Sequence, residues 1–304
     1  SKDGGKLEVV ATGHRAPNGM SVGPEGEVTT SDNEGNWVPS SRINYIKPGG
    51  FYGHVYTSHR KETPTDYDKP LLWLPHQVDN SSGGQAWVTS KLWGPFQGDL
   101  LHFSYGKSSL FKVMKEQVSG QWQGGVVKFP LRFDSGIMRG RFNPVDGQLY
   151  TTGLRVWQSN GARYGAFHRV RYTGQPVHMP LRMNVVKSGI SITFTNALDA
   201  SSAVDDQNWA VDQWNYQWTK NYGSKMYSVQ DPEKEVGNKK QGTFGGDPVP
   251  ITGIKLFDKK TVFLEVKNIK PIMQSRIRYN IKAEDKTAIK QEIFHTINRV
   301  PQNK

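Results

Sequence analysis

Apolar and polar positions alternate in short runs along most of this chain, and turn residues separate the runs. Residues 20–22 and 28–30 carry β-branched and apolar side chains on either side of Pro24, Glu25 and Gly26. Proline presets φ and glycine accepts positive φ, so this stretch predicts a β-hairpin. Residues 42–46 add a further β segment, closed by a glycine turn at Gly49 and Gly50. The pattern returns at 141–152, where Pro144, Asp146 and Gly147 make the turn and Leu149 and Tyr150 begin the outgoing strand. A looser copy occupies 96–113, with Gly98 and Asp99 ahead of alternating apolar positions. β units that cannot bury a face alone predict a stacked or radial repeat. Long connections between the copies predict propeller blades with elaborated loops.

Other runs fill in the picture. Leu7, Val9 and Val10 alternate like the start of a strand. Residues 54–84, with Pro64, Pro70 and Pro75, read as one long loop. Residues 122–133 predict a pair of strands, and 153–163 a second polar loop. Residues 167–172 alternate as a half-exposed strand would. The propeller is expected to end near 176–180. From Leu181 the texture changes. Residues 185–195 predict a hairpin around Ser188 and Gly189, 197–211 a short helical or turn segment leading into a strand, and 261–266, 272–283 and 294–297 further strands. Residues 215–246 form a long insertion, aromatic at first and then polar and mobile over 231–242. Trp214, Tyr216 and Trp218 alternate, so one strand would place them on one face, packed on the propeller.

Composition narrows the class. With 32 glycines, 9 tryptophans and 12 tyrosines in 304 residues, and few helix-like runs, the chain reads as all-β. It has no cysteine, which excludes disulfides, thiolate zinc sites and covalent c-type haem within it. Net charge is +12, but the basic residues are scattered and no nucleic-acid motif is present. No stretch is long and apolar enough for a membrane-spanning helix. Walker, Rossmann and serine- or cysteine-nucleophile motifs are absent as well.

The order Gly13-His14-Arg15-Ala16-Pro17-Asn18-Gly19-Met20, then Pro24-Glu25-Gly26, then Asp32-Asn33-Glu34, then Lys47-Pro48-Gly49-Gly50-Phe51-Tyr52-Gly53 carries a resemblance. It resembles the pyrroloquinoline quinone (PQQ)-dependent soluble sugar dehydrogenases, the glucose/sorbosone dehydrogenase family of six-bladed propellers. The likeness is greatest to large planctomycete-type dehydrogenase-like propeller proteins. The tail is similar to bacterial Ig-like sandwich modules. The resemblance implies a partial β-propeller over residues 1–180, about three blades of six. An Ig-like β-sandwich over 181–304 would follow, with its insertion at 215–246. Three blades cannot close a ring, so the remaining blades are expected from the same, longer polypeptide or from another chain.

The resemblance also implies chemistry. Arg15, with His14 and Asn18, matches the motif whose arginine contacts the quinone. A guanidinium fork suits paired carbonyl or carboxylate oxygens. Lys107, Arg139 and Arg141 stand near the family's other cofactor-facing cations, although the spacing is shifted and Ala16 replaces an asparagine. An odd shift along a strand would turn such a charge away from the pocket. The family's histidine base lies in a blade that these residues do not include. Asp32, Asn33 and Glu34 are oxygen-rich and suited to calcium, or alternatively to an Asx-type turn. Trp73, His76, Asp79 and Trp157 are candidate substrate-contacting residues on the two long loops, with His76 and Asp79 a candidate acid–base pair. A packed surface insertion is the equal alternative.

Two functions follow. One is the C-terminal part of an extracytoplasmic, periplasmic or extracellular, quinone-dependent sugar or aldose dehydrogenase-like protein. It would act on carbohydrate and pass electrons to a partner such as a cytochrome. The other is a non-catalytic carbohydrate- or protein-binding propeller module of a larger assembly.

Overall fold

A computed structural model of the chain describes residues 2–237 and 243–302. Short antiparallel strands make it nearly all-β. The first sheet runs in sequence order through β1 (Pro17–Val22), β2 (Val28–Asp32), β3 (Ser41–Tyr45) and β4 (Leu72–Leu74). The second set is β5 (Ser82–Trp87), β6 (Leu100–Ser104), β7 (Ser109–Val118) and β8 (Gln121–Lys128). The third sheet holds β9 (Gly136–Phe142), β10 (Leu149–Leu154) and β11 (Gly165–Val170). Each set is an up-and-down meander, as a propeller blade is.

The first strands of the three sets pack side by side, and glycine allows it. A Cβ on Gly19 would stand 2.2 Å from the Gly84 Cα, and one on Gly83 would stand 2.6 Å from the Ile137 carbonyl. Only glycine permits backbones to approach so closely.

The chain then builds β12 (Pro180–Val186), β13 (Gly189–Phe194), the short helix α1 (Ala200–Val204), β14 (Trp209–Trp214), β15 (Asp247–Pro248), β16 (Ile251–Leu256), β17 (Thr261–Val266), β18 (Ile272–Lys282) and β19 (Ala288–Ile297). Asp199 caps α1 by accepting from the Ser202 amide. One sheet has the order β12-β13-β17-β16. The other four, β15-β14-β18-β19, continue through a β19–β8 pairing into β8-β7-β6-β5. Ile190, Ile192, Phe194, Val262 and Leu264 of one layer belong to the same buried core as Val211, Ile277, Tyr279 and Ile281 of the other. The β19–β8 ladder covers what would be the open outer edge of the second blade.

Several local expectations change. Leu7, Val9 and Val10 form no strand, and all three are exposed. The 54–84 stretch is not a structureless loop: β4 lies inside it, fully buried, and β5 begins at its end. Residues 122–133 contain one strand, not two. Tyr216 and Trp218 lie beyond the end of β14, so the aromatic run shares no single strand face. Trp218 instead donates from Nε1 to the Trp37 and Gly53 carbonyls and packs on Trp37 and Tyr67 of the first-blade region. Of the polar run expected to be mobile, residues 238–242 lie outside the described residues.

Candidate functional site

Antiparallel alternation gathers three loops at one end of the first blade. β1, β3 and β5 start there, and β2 and β4 finish there, so residues 11–16, 33–40 and 75–81 are neighbours. Asp32, the last residue of β2, is fully buried. Its Oδ2 accepts from the Arg15 amide at 2.8 Å and its Oδ1 from the Ala16 amide at 2.7 Å. This pair fixes the backbone that carries Arg15. The guanidinium donates from Nη1 to the Glu34 carbonyl at 3.1 Å and lies 4.9 Å from the centre of the Tyr222 ring. It also lies flat against Gly35, where a Cβ would sit 1.9 Å from its Nε.

Three histidines lie on the segments that neighbour this arginine. His14 stacks on Tyr52 with centroids 4.9 Å apart. Burial lowers its pKa, although Asp32 pulls the other way. His54 places Nδ1 3.0 Å from the Thr57 hydroxyl, and burial lowers its pKa too, against Asp32. His76 lies 3.6 Å from a Glu34 carboxylate oxygen. Burial favours the neutral form at His14 and His54, which suits an imidazole to accepting a proton.

A second arginine sits deeper. Arg42 of β3 is the cross-strand partner of Asp32 and is fully buried. None of its three guanidinium nitrogens has a hydrogen-bond partner in the protein. The group lies 5.4 Å from the centre of the Trp73 ring and 5.9 Å from that of Tyr67. Aromatic faces and the adjacent carboxylate are what keep such a charge tolerable. Burial lowers its pKa while Asp32 raises it, yet a guanidinium keeps its proton in a protein.

The expected calcium-binding side chains each have partners within the protein. Both Asp32 oxygens already accept backbone amides. The Asn33 Oδ1 accepts from the Ser82 amide at 2.8 Å, and Glu34 faces His76. Among the described residues no group of three or more His, Asp or Glu is placed to share a metal ion. The permanent cation beside Asp32 is Arg42.

The other expected residues fall into separate places. Asn18 donates to the Ser82 carbonyl at 2.9 Å and accepts from Arg139 at 3.3 Å, so these two meet at the packed first strands. Arg141 is exposed and donates to the Gly140 carbonyl. Lys107 lines a different cleft, between the second blade and β19. Trp73 is buried under Arg42 and reaches no solvent. Trp157 is 78% exposed on its loop. His76 and Asp79 do not pair. Asp79 is fully buried and bonds His102 Nε2 at 2.6 Å, Ser104 at 2.6 Å and Ser82 at 2.7 Å. Burial alone would push its carboxyl up, but the bonds from His102, Ser104 and Ser82 outweigh that and hold it below the usual range. Such a network ties β5 to β6 and is closed to substrate. Sequence reasoning passed over Arg42, His54 and His102. The first and third looked like ordinary strand positions. His54 carried a usable signal, a histidine directly after the Tyr52-Gly53 close of the motif.

No family model matches the chain, and no curated protein matches it. Among solved structures it is similar to an oxidoreductase of Thermus thermophilus assigned as a glucose dehydrogenase, at 26% identity, TM-score 0.39, covering 56% of this chain and 49% of that one. It is also similar to the PQQ-bound aldose sugar dehydrogenase of Streptomyces coelicolor, at 16% identity, TM-score 0.35, covering 47% and 39%. The soluble aldose sugar dehydrogenase of Escherichia coli, in apo form, matches at 17% identity, TM-score 0.36, covering 56% and 49%. The chain spans half or less of the length of these structures. A likeness of that extent assigns no role to any residue.

Proposed function

We propose that this chain is part of a quinone-dependent sugar dehydrogenase-like protein acting outside the cytoplasm, with its site at the loop end of the first blade. The observation that carries the reading is Arg15: Asp32 fixes its backbone, Glu34 and Gly35 hold its side chain, and the His54 imidazole lies near enough to feel its charge. The residues fit PQQ in part. Arg15 would meet the anionic edge of the quinone, and Arg139, held by Asn18, offers a further cation along the same packed first strands. Lys107 and Arg141 are not gathered there. When bound, the quinone would supply a hydride acceptor. The chain's own contribution is to hold negative charge at Arg15 and to offer the imidazole of His54, whose neutral form burial favours, as a proton acceptor at its ring nitrogen.

The reading includes a division into a partial propeller, 1–180, and an Ig-like sandwich, 181–304. The strand orders β12-β13-β17-β16 and β15-β14-β18-β19 support the second, since lettered in chain order they read A-B-E-D and C′-C-F-G. The remaining blades would come from the same polypeptide or another chain. Met20 and Val22 on the first blade, and Tyr164 and Phe167 on the third, are each more than half exposed, as faces awaiting neighbours would be. An electron-accepting cytochrome and an aldose complete the proposed set of partners. Among the described residues no helix is long and apolar enough to cross a membrane.

One observation favours the alternative, a non-catalytic binding module. Tyr222 lies over Arg15, and the Gly223 amide bonds the Gly35 carbonyl, so the 215–237 segment covers the arginine. Dye reduction with aldoses by the completed assembly, supplied with PQQ, separates the two. The dehydrogenase reading expects turnover that falls at least about tenfold in Arg15→Ala. An assembly inert with every aldose overturns it in favour of the binding module.

A further inference from the structure

A cleft of about 600 Å³ opens where the second blade joins the sandwich, across the continuous sheet face of β7, β8 and β19. That volume is within the range of clefts that hold small ligands. Lys107, Lys128, Arg132 and Lys290 line it. None of the four makes an ion pair with a described carboxylate, whereas Lys112, Arg182, Arg276 and Arg278 nearby do. Glu292 is the one carboxylate of the lining, and it turns toward Arg276 at 3.9 Å. Four cations against one carboxylate leave the lining net positive.

The rest of the lining narrows the ligand. Gln77, Asn160 and Gln291 place amide groups among the ammoniums, and the Gln77 Nε2 is buried with no partner in the protein. Amides donate to and accept from hydroxyls, so they suit a polyhydroxylated ligand. Of the aromatic side chains of the lining, Phe111, Phe129 and Phe294 are buried and Phe244 is half-buried. A second, shallower cleft shares Lys290, Gln291 and Glu292 and extends the same surface over Asn208 and Asn280. The ligand surface is therefore elongated.

We propose that this cleft binds an acidic oligosaccharide, a chain of sugar rings bearing carboxylates. Its carboxylates meet Lys107, Lys128, Arg132 and Lys290, and its hydroxyls meet the amides. The proposal does not rest on the quinone reading, since neither Arg15 nor His14, His54 or His76 lines the cleft.

The test is a calorimetric titration of the chain with tetragalacturonate at low salt. Maltotetraose, poly-L-glutamate and a thymidine oligonucleotide are parallel probes. Binding of tetragalacturonate is expected, weakening as salt rises. Maltotetraose should show none, and the other two anions should bind at least about tenfold less tightly. Lys128 and Lys290 are exposed, so Lys128→Glu/Lys290→Glu keeps its fold by circular dichroism and loses at least about tenfold in affinity. Arg15→Ala is expected to bind tetragalacturonate as the parent does, which keeps this result separate from the quinone test. Absence of binding overturns the proposal, as does equal affinity for poly-L-glutamate or the oligonucleotide, or an unchanged affinity in the double variant.

Discussion

In the first blade Pro24, Glu25 and Gly26 turn β1 into β2, and in the third Pro144, Asp146 and Gly147 turn β9 into β10. The two hairpins share turn chemistry and alternation. Their surroundings differ sharply. β2 and β3 are buried along nearly their whole length, because β5 packs on one side of β2, the Trp218 segment reaches over from the sandwich, and β19 packs on the neighbouring β4. β11 of the third blade shows strict alternation of exposed and half-buried residues, and Phe167 is 71% exposed. The local code makes the strand in both places. What covers the strand is set by distant residues, and only a covered blade can hold Asp32 and Arg42 away from water.

Substitutions should separate the two blades in order of effect. Asp32→Ala removes the acceptor of two backbone amides and leaves the Arg42 charge alone in the interior. The expected loss is about 3–5 kcal/mol in urea unfolding, or failure to fold. Trp218→Ala deletes the ring and two hydrogen bonds at the cover of the first blade, and about 3 kcal/mol should be lost. Phe167→Ala on the third blade should change the stability of this chain by no more than about 0.5 kcal/mol. A large loss there would mean that β11 is already covered.

A smaller, pH-dependent effect marks the joint between blade and sandwich. Lys112 is buried beside Asp99, which also bonds Arg182 of β12. Burial, against the pull of Asp99, lowers the Lys112 pKa from 10.5 to about 8. Between these values the unfolded chain binds more protons than the folded one, so stability should rise as pH goes from about 8 toward 10. Tyr52 and Tyr67, which burial pushes up from 10.0 to about 12, act oppositely above pH 10. Urea midpoints across this range should rise in the parent and stay flat in Lys112→Met up to about pH 10. The smallest expected effect is that of calcium. Adding calcium or a chelator should leave the melting temperature unchanged, because Asp32, Asn33 and Glu34 are committed elsewhere. A calcium-dependent rise would show that the loop rearranges into a cage.

Much of this was legible in the chain itself. Turn chemistry located the hairpins of β1–β2, β9–β10 and β12–β13, and period-two alternation located β11, β17 and β18. β4 escaped because Leu72, Trp73 and Leu74 are continuously apolar inside a proline-rich stretch, and a run of three residues carries no period. The sequence order put Arg15 and Asp32 in one motif, and they do meet. It could not show that Asp79 turns inward to His102, since that bond joins residues far apart in the chain. Nor could it show Arg42, whose partner across the ladder depends on register, or Tyr222, which arrives from the far end of the chain.

The affinity of the Arg15 site for the quinone is the most direct test of the proposed function. Fluorescence titration of PQQ should be run on the completed assembly, with Arg15→Ala as the test and the exposed Arg141→Ala as the control. The parent and Arg141→Ala should bind alike, and Arg15→Ala roughly ten- to a hundredfold more weakly, as loss of a charge-assisted contact predicts. Equal affinity in the parent and Arg15→Ala, or no PQQ binding by the parent, would contradict the account.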